Sequence, residues 1–170
     1  MTKKSYAIVY WLLPETAARE VLSHEIAELA KQFSAPFFEP HVTVFVAPEN
    51  TDSPKQVVRE IGDIDLELTI RGIQSSRQFT KTLFLQFGLS EELQQLADVI
   101  WTASGAPVRY LVDPHLSLLY AKLPEETKQT LAEEIRLPFR KIHFISICAM
   151  RCARPTTTPT EVEQWKLLAR

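Results

Sequence analysis

Residues 39–44 spell E-P-H-V-T-V and residues 113–118 spell D-P-H-L-S-L, so one chain writes acid, proline, histidine, aliphatic, hydroxyl, aliphatic twice. Aliphatic and polar residues alternate with a period of two, which a half-buried strand satisfies and a helix does not. Each proline disfavours helical backbone at the residue before it, so an extended segment can begin there and a helix is not expected to run through. In each copy the histidine and the hydroxyl residue then share one strand face while the aliphatic residues share the other. Periodicity does not explain why the polar identities repeat as well. With this composition a given histidine fits the pattern about 3% of the time, so two of four would fit by accident in roughly one chain in two hundred.

The rest of the chain alternates period two with period 3.6. Residues 5–13 are short, apolar and rich in β-branched and aromatic side chains, and they stop at Pro14, so they read as a buried strand. Over 16–33, Val21, Leu22, Ile26, Leu29 and Phe33 form one apolar stripe, which predicts an amphipathic helix. A strand over 42–47 follows, then a short helix over 54–61. Strands over 65–73 and 80–87 form a hairpin with a longer loop. A helix over 91–103 is closed by Gly105 near its C-cap. A strand over 115–123, a helix over 124–135 with proline near its start, and a strand over 141–150 complete the second half. Residues 161–170 fit either a short helix or a turn followed by a strand. The pattern predicts an α+β fold: two pseudo-symmetric βα lobes with antiparallel sheets flanking a central cleft and helices outside. Residues 1–170 are expected to be a single domain of two pseudo-repeated lobes, each carrying one motif.

Length and composition fit that size: 170 residues, 45% hydrophobic and 24% charged, suffice for one substantial core. A formal charge of −2 argues against a broad electrostatic grip on nucleic acid, so any basic surface must be local. Lys3 and Lys4 before the apolar run 7–13 imitate a secretory signal, but the run is short, ends at proline and leads to no cleavage site. No apolar run approaches the roughly 20 residues that span a bilayer. Cys148 and Cys152 lie four apart in one predicted strand, too poorly placed for a mutual disulfide, and read as reduced thiols of a cytoplasmic protein. No membrane association is expected.

Two imidazoles facing one another suit a reaction that needs one base and one acid near neutral pH. Hydroxyls beside them can donate to the oxygens of a phosphate as charge develops there. Hydrolysis of a cyclic phosphodiester asks for this set. A metal site built on His41, His115, Glu39 and Asp113 is the competing reading, although no His-x-x-x-His or cysteine pairing accompanies either motif. His24 falls among charged neighbours on the predicted helix, and in H-F-I-S the hydroxyl falls on the face opposite His143. Both are set aside.

At these residues the chain resembles the two-histidine (2H) phosphoesterase superfamily, whose signature is His-x-Thr/Ser-x in two copies, matched by H-V-T-V and H-L-S-L. The flanks F-E-P-H-V-T-V and P-H-L-S-L-L-Y, the T-L-F-L-Q-F strand, Trp11 and Trp165 look most like the cyclic phosphodiesterase branch known from plants and yeast. The resemblance implies catalytic roles for His41 and His115, phosphate binding by Thr43 and Ser117, and contact of Tyr120 and Trp11 with the substrate base or ribose. It implies a monomer with no metal or other cofactor. The partner it implies is a small cyclic-phosphate nucleotide, either ADP-ribose 1″,2″-cyclic phosphate or a nucleoside 2′,3′-cyclic phosphate. RNA ends, handled by a 2′,5′ ligase or a trimming exonuclease, are the alternative substrate, and a non-catalytic nucleotide-binding module is the alternative class. The plant enzymes carry cysteines that this chain lacks, so redox control does not transfer.

Overall fold

A computed structural model describes residues 4–51 and 53–170; Lys3 of the charged start lies outside the described residues. In chain order the elements are β1 (Ser5–Pro14), α1 (Thr16–Phe33), β2 (Val42–Pro48), α2 (Pro54–Ile61), β3 (Leu66–Ser75), β4 (Leu83–Phe87), α3 (Glu91–Ser104), β5 (His115–Leu119), α4 (Glu125–Glu134), β6 (Lys141–Arg154), α5 (Pro159–Glu163) and β7 (Lys166–Ala169). The seven strands pair antiparallel throughout, in the order β1-β2-β5-β4-β3-β6-β7, and β1 also pairs with β6. The α+β class with antiparallel pairing is as the periodicity predicts. The strands of both halves join in one circuit, because β6 pairs with β3 over 141–144 and with β1 and β7 along the rest of its length.

Helices lay their apolar stripes on this sheet. In α1 the buried residues are Ala18, Leu22, Ile26, Leu29 and Ala30, while Val21 and Phe33, at the margins of the expected stripe, stay partly exposed. Ser90 caps α3 by accepting from the Leu93 amide, and Gly105 ends it in the left-handed conformation (φ 63°) that glycine adopts most readily. The packing is crossed: α1 leans chiefly on β5 from the second half, and α3 leans on β2 from the first. No helix among the described residues is long and apolar enough to cross a membrane.

The two histidine strands meet at one residue pair, Val42 opposite Leu116. Val42, Val44, Leu116 and Leu118 are fully buried in the main core. Burial of each contributes roughly 1.5–3 kcal/mol, so a one-residue slip, which would turn all of them outward, is strongly disfavoured. The core thereby sets which way the histidines face.

Candidate active site

The acid-proline-histidine triplets act through their backbones. His41 Nδ1 lies 2.6 Å from the carbonyl of Glu39, and His115 Nδ1 lies 2.7 Å from the carbonyl of Asp113. A carbonyl only accepts, so each Nδ1 carries the hydrogen and each Nε2 is left with a lone pair when the ring is neutral. The acid side chains are turned to other work. Glu39 takes Arg19 and, at 2.7 Å on both oxygens, Arg170, while Asp113 takes Lys81 and Gln86. These ion pairs anchor the carbonyls that orient the rings. Among the described residues, no three His, Cys, Asp or Glu side chains cluster as a metal site.

Aromatic side chains enclose His41. Trp11 stacks on its ring at 3.7 Å and 14°, and Phe38 and Trp165 meet it edge-on at 6.2 and 6.3 Å. Only 7% of His41 remains exposed. Burial penalises the charged imidazolium and pulls its pKa down to about 4, against the Glu39 carbonyl and with help from His115. His115 is more open, with 21% of its side chain exposed, and burial lowers its pKa too, reinforced by Lys81 and opposed by the carbonyl and carboxylate of Asp113. Both shifts favour the neutral ring at neutral pH.

A β-bulge follows each hydroxyl residue. Thr43 pairs with Trp11 and Phe45 with Tyr10, leaving Val44 as the extra residue; Ser117 pairs with Phe84 and Leu119 with Leu83, leaving Leu118. The bulge puts two successive residues into the core and returns Val46 in one copy and Tyr120 in the other to the opposite face. The duplication therefore extends past the hexapeptide. It includes the neighbouring strand as well, since Phe84 meets the His115 ring edge-on at 5.6 Å where Trp11 stacks on His41.

All six residues singled out from the sequence (Trp11, His41, Thr43, His115, Ser117 and Tyr120) line one cleft of about 720 Å³, a nucleotide-sized space. Tyr120 and Trp11 reach the cleft, yet each is only 3% exposed: Phe38 covers the Tyr120 ring at 3.8 Å, and Trp11 is held between His41 and the cluster of Leu13, Cys148 and Cys152. Little of either ring is left open to the cleft, and Trp11 backs the His41 ring. The half-buried Tyr110 and Trp165 are the less covered aromatics of the lining. The Thr43 hydroxyl has no hydrogen-bond partner among the described residues, whereas Ser117 donates to the Thr80 carbonyl at 2.8 Å.

Sequence reasoning missed the cations. Arg77, Lys122 and Arg154 line the cleft, and no carboxylate residue does. Arg77 sits in a loop, where no periodicity marks it. The others carried a signal: Lys122 is two residues past Tyr120, and Arg154 two past Cys152, each continuing the period-two face of its neighbour. His24 is exposed as expected, and His143 is taken up by Asp65 and Glu67 on the outer surface. Cys148 and Cys152 are free thiols, raised by burial to about 11 and about 12.

The profile of a family described as "Cyclic phosphodiesterase-like protein" matches residues 6–137. A protein of Arabidopsis thaliana named cyclic phosphodiesterase is 26% identical over 164 residues, spanning 94% of this chain and 91% of that one. Among solved structures, that of E. coli LigT complexed with 3′-AMP superposes with a TM-score of 0.50 at 16% identity, covering 98% of this chain and 99% of the other, a likeness of fold.

Proposed function

Since the chain belongs to the cyclic phosphodiesterase-like protein family and is a phosphodiesterase hydrolase, we propose that its cleft opens cyclic phosphodiesters of ribose, ADP-ribose 1″,2″-cyclic phosphate or nucleoside 2′,3′-cyclic phosphates, by two-histidine acid–base catalysis. One observation carries the reading: two imidazoles at the starts of directly paired strands, each with Nδ1 tied to a backbone carbonyl, share a cleft with the two motif hydroxyls and three cations. His41, the more buried ring, is the base. Its Nε2 takes a proton from water as the water oxygen attacks phosphorus. His115, beside Asp113, gains a proton when the anionic phosphate arrives and passes it to the departing ribose oxygen, so the P–O bond breaks and a phosphomonoester and a free hydroxyl result. Thr43 donates to a non-bridging oxygen, and Ser117 does so after turning from the Thr80 carbonyl. A base meets Tyr110 or Trp165.

The test is a panel of cyclic phosphates with product identification, run with and without EDTA. Turnover of a small cyclic phosphate that survives chelation is the expected result; loss restored by zinc or manganese sinks the two-histidine mechanism. Substrate length separates small molecules from RNA. Extending a cyclic-phosphate end from one nucleotide to ten is expected to change kcat/KM by less than about tenfold, because each phosphate gripped outside the cleft adds only a salt-sensitive term of slope about −0.7. A gain of about a hundredfold that vanishes at high salt moves the assignment to RNA ends.

The lowered pKa values give a signed pH dependence. Below about pH 4 His41 is protonated and the base is lost. Above the pKa of His115, itself below the usual 6.5, the acid is lost. The pair titrates together, and kcat/KM, which reports the free protein, is expected to peak on the acid side of 6.5. In the complex the phosphate charge raises His115, so the alkaline limb of kcat lies higher than that of kcat/KM. Profiles of both constants decide it, and a kcat/KM optimum well above neutrality overturns the assignment of roles.

A further inference from the structure

A second cavity of about 350 Å³ adjoins the cleft. Arg77 and Lys122 line both spaces and so form the ridge between them. Neither side chain makes a hydrogen bond or a close ion pair among the described residues, and the charge of Arg77 is felt by Glu125. Lys128 closes the second cavity, only 3% exposed, donating to the Ser76 carbonyl at 2.8 Å and pairing with Glu125 at 2.8 Å. Glu125 is the carboxylate beside this group, so one negative charge faces three positive ones. The hydroxyls of Ser76 and Thr82, which also line it, donate to the carbonyls of Lys81, Phe79 and Ala121. The donors left for a ligand are therefore cations, and the ligand they suit is an anion.

The ridge stands close to the reacting groups along the chain. Thr80, whose carbonyl takes the Ser117 proton, is three residues from Arg77, and Lys122 is two residues beyond Tyr120. On the reading that a ribose cyclic phosphate occupies the cleft, a second anionic group of that ligand meets the ridge, because Arg77 and Lys122 line the same cleft as His115 and Ser117. We propose that Arg77 and Lys122, backed by Lys128, form a second phosphate subsite that takes a phosphate on the 5′ oxygen of the ribose bearing the reacting phosphate. That group occurs in a 5′-phosphorylated or diphosphate-linked small molecule and equally in the 5′ linkage of an RNA terminus.

Product-like ligands test the subsite without turnover. Calorimetric titration of the full chain with adenosine 2′-monophosphate and adenosine 2′,5′-bisphosphate is expected to show about tenfold tighter binding of the bisphosphate, a gain that weakens with salt. Arg77→Ala and Lys122→Ala should each bring the ratio of bisphosphate to monophosphate affinity close to one. Equal affinities in the unaltered chain, or a gain that persists in both variants, overturn the subsite. A dinucleotide whose 5′ phosphate is a diester identifies the source: a gain kept there fits an RNA linkage, and one confined to the terminal phosphate fits a small ligand. Should the monophosphate not bind at all, it is the cleft reading that fails. Inorganic pyrophosphate, which asks only for the cations, then decides the subsite, since Arg77-dependent binding supports it and no binding overturns it.

Discussion

Alanine at His41 or at His115 is expected to lower kcat by about two to four orders of magnitude, the usual size of a general acid–base contribution. On the proposed mechanism each substitution removes one of the two proton carriers. The two losses should not add, because the second proton transfer has little to act with once the first is gone. The strands should survive, since Val42, Val44, Leu116 and Leu118 rather than the imidazoles hold them in the core. His41→Ala also leaves a gap beneath Trp11, so His41→Asn, which keeps a donor for the Glu39 carbonyl, is the companion variant. Steady-state rates alongside thermal melts separate lost chemistry from lost folding. A folded variant at either position with near-normal rate removes that histidine from the mechanism.

Thr43→Ala is expected to cost about a hundredfold in kcat, and Ser117→Ala clearly less, about tenfold. The scale is that of one donor to a developing oxyanion. The asymmetry comes from the resting hydrogen bonds: the Thr43 hydroxyl is free to donate, whereas Ser117 must first release the Thr80 carbonyl and thereby offsets part of its own gain. Thr43→Ser, which retains the donor, should stay within about tenfold of the unaltered chain. Kinetics of the three variants on one cyclic phosphate check the order, and a Ser117→Ala loss exceeding that of Thr43→Ala reverses the roles.

Local pattern made much of this architecture legible. The helix over 16–33 falls on the residues its periodicity marks, the short helix over 54–61 lies where it was expected, and the histidine and hydroxyl of each motif share a face because alternation leaves no other arrangement. The failures arise where distant partners decide. The strand expected over 80–87 begins only at Leu83, because 79–81 coil into a turn stitched by the Thr82 hydroxyl to Phe79 and Ala121. The strand expected over 141–150 runs on to Arg154, because β1 and β7 offer it pairing that its own residues do not announce. The segment left open at the end is both a short helix and a strand. Ring contacts were the least legible: an aromatic residue in a strand shows its face in the sequence but not what lies against it, so Trp11 and Tyr120 were placed at the cleft without the partners that cover them.

The crossed helices make the two copies inseparable. Because α1 shelters the strand of the second histidine and α3 that of the first, a cut between the halves would strip each reactive strand of its cover and leave the covering helix on the other fragment. The duplicated sequence is thus not two modules side by side. Each copy completes the other, as in an exchanged dimer whose two chains have been joined, and neither can lose its register without disarming the histidine it does not carry.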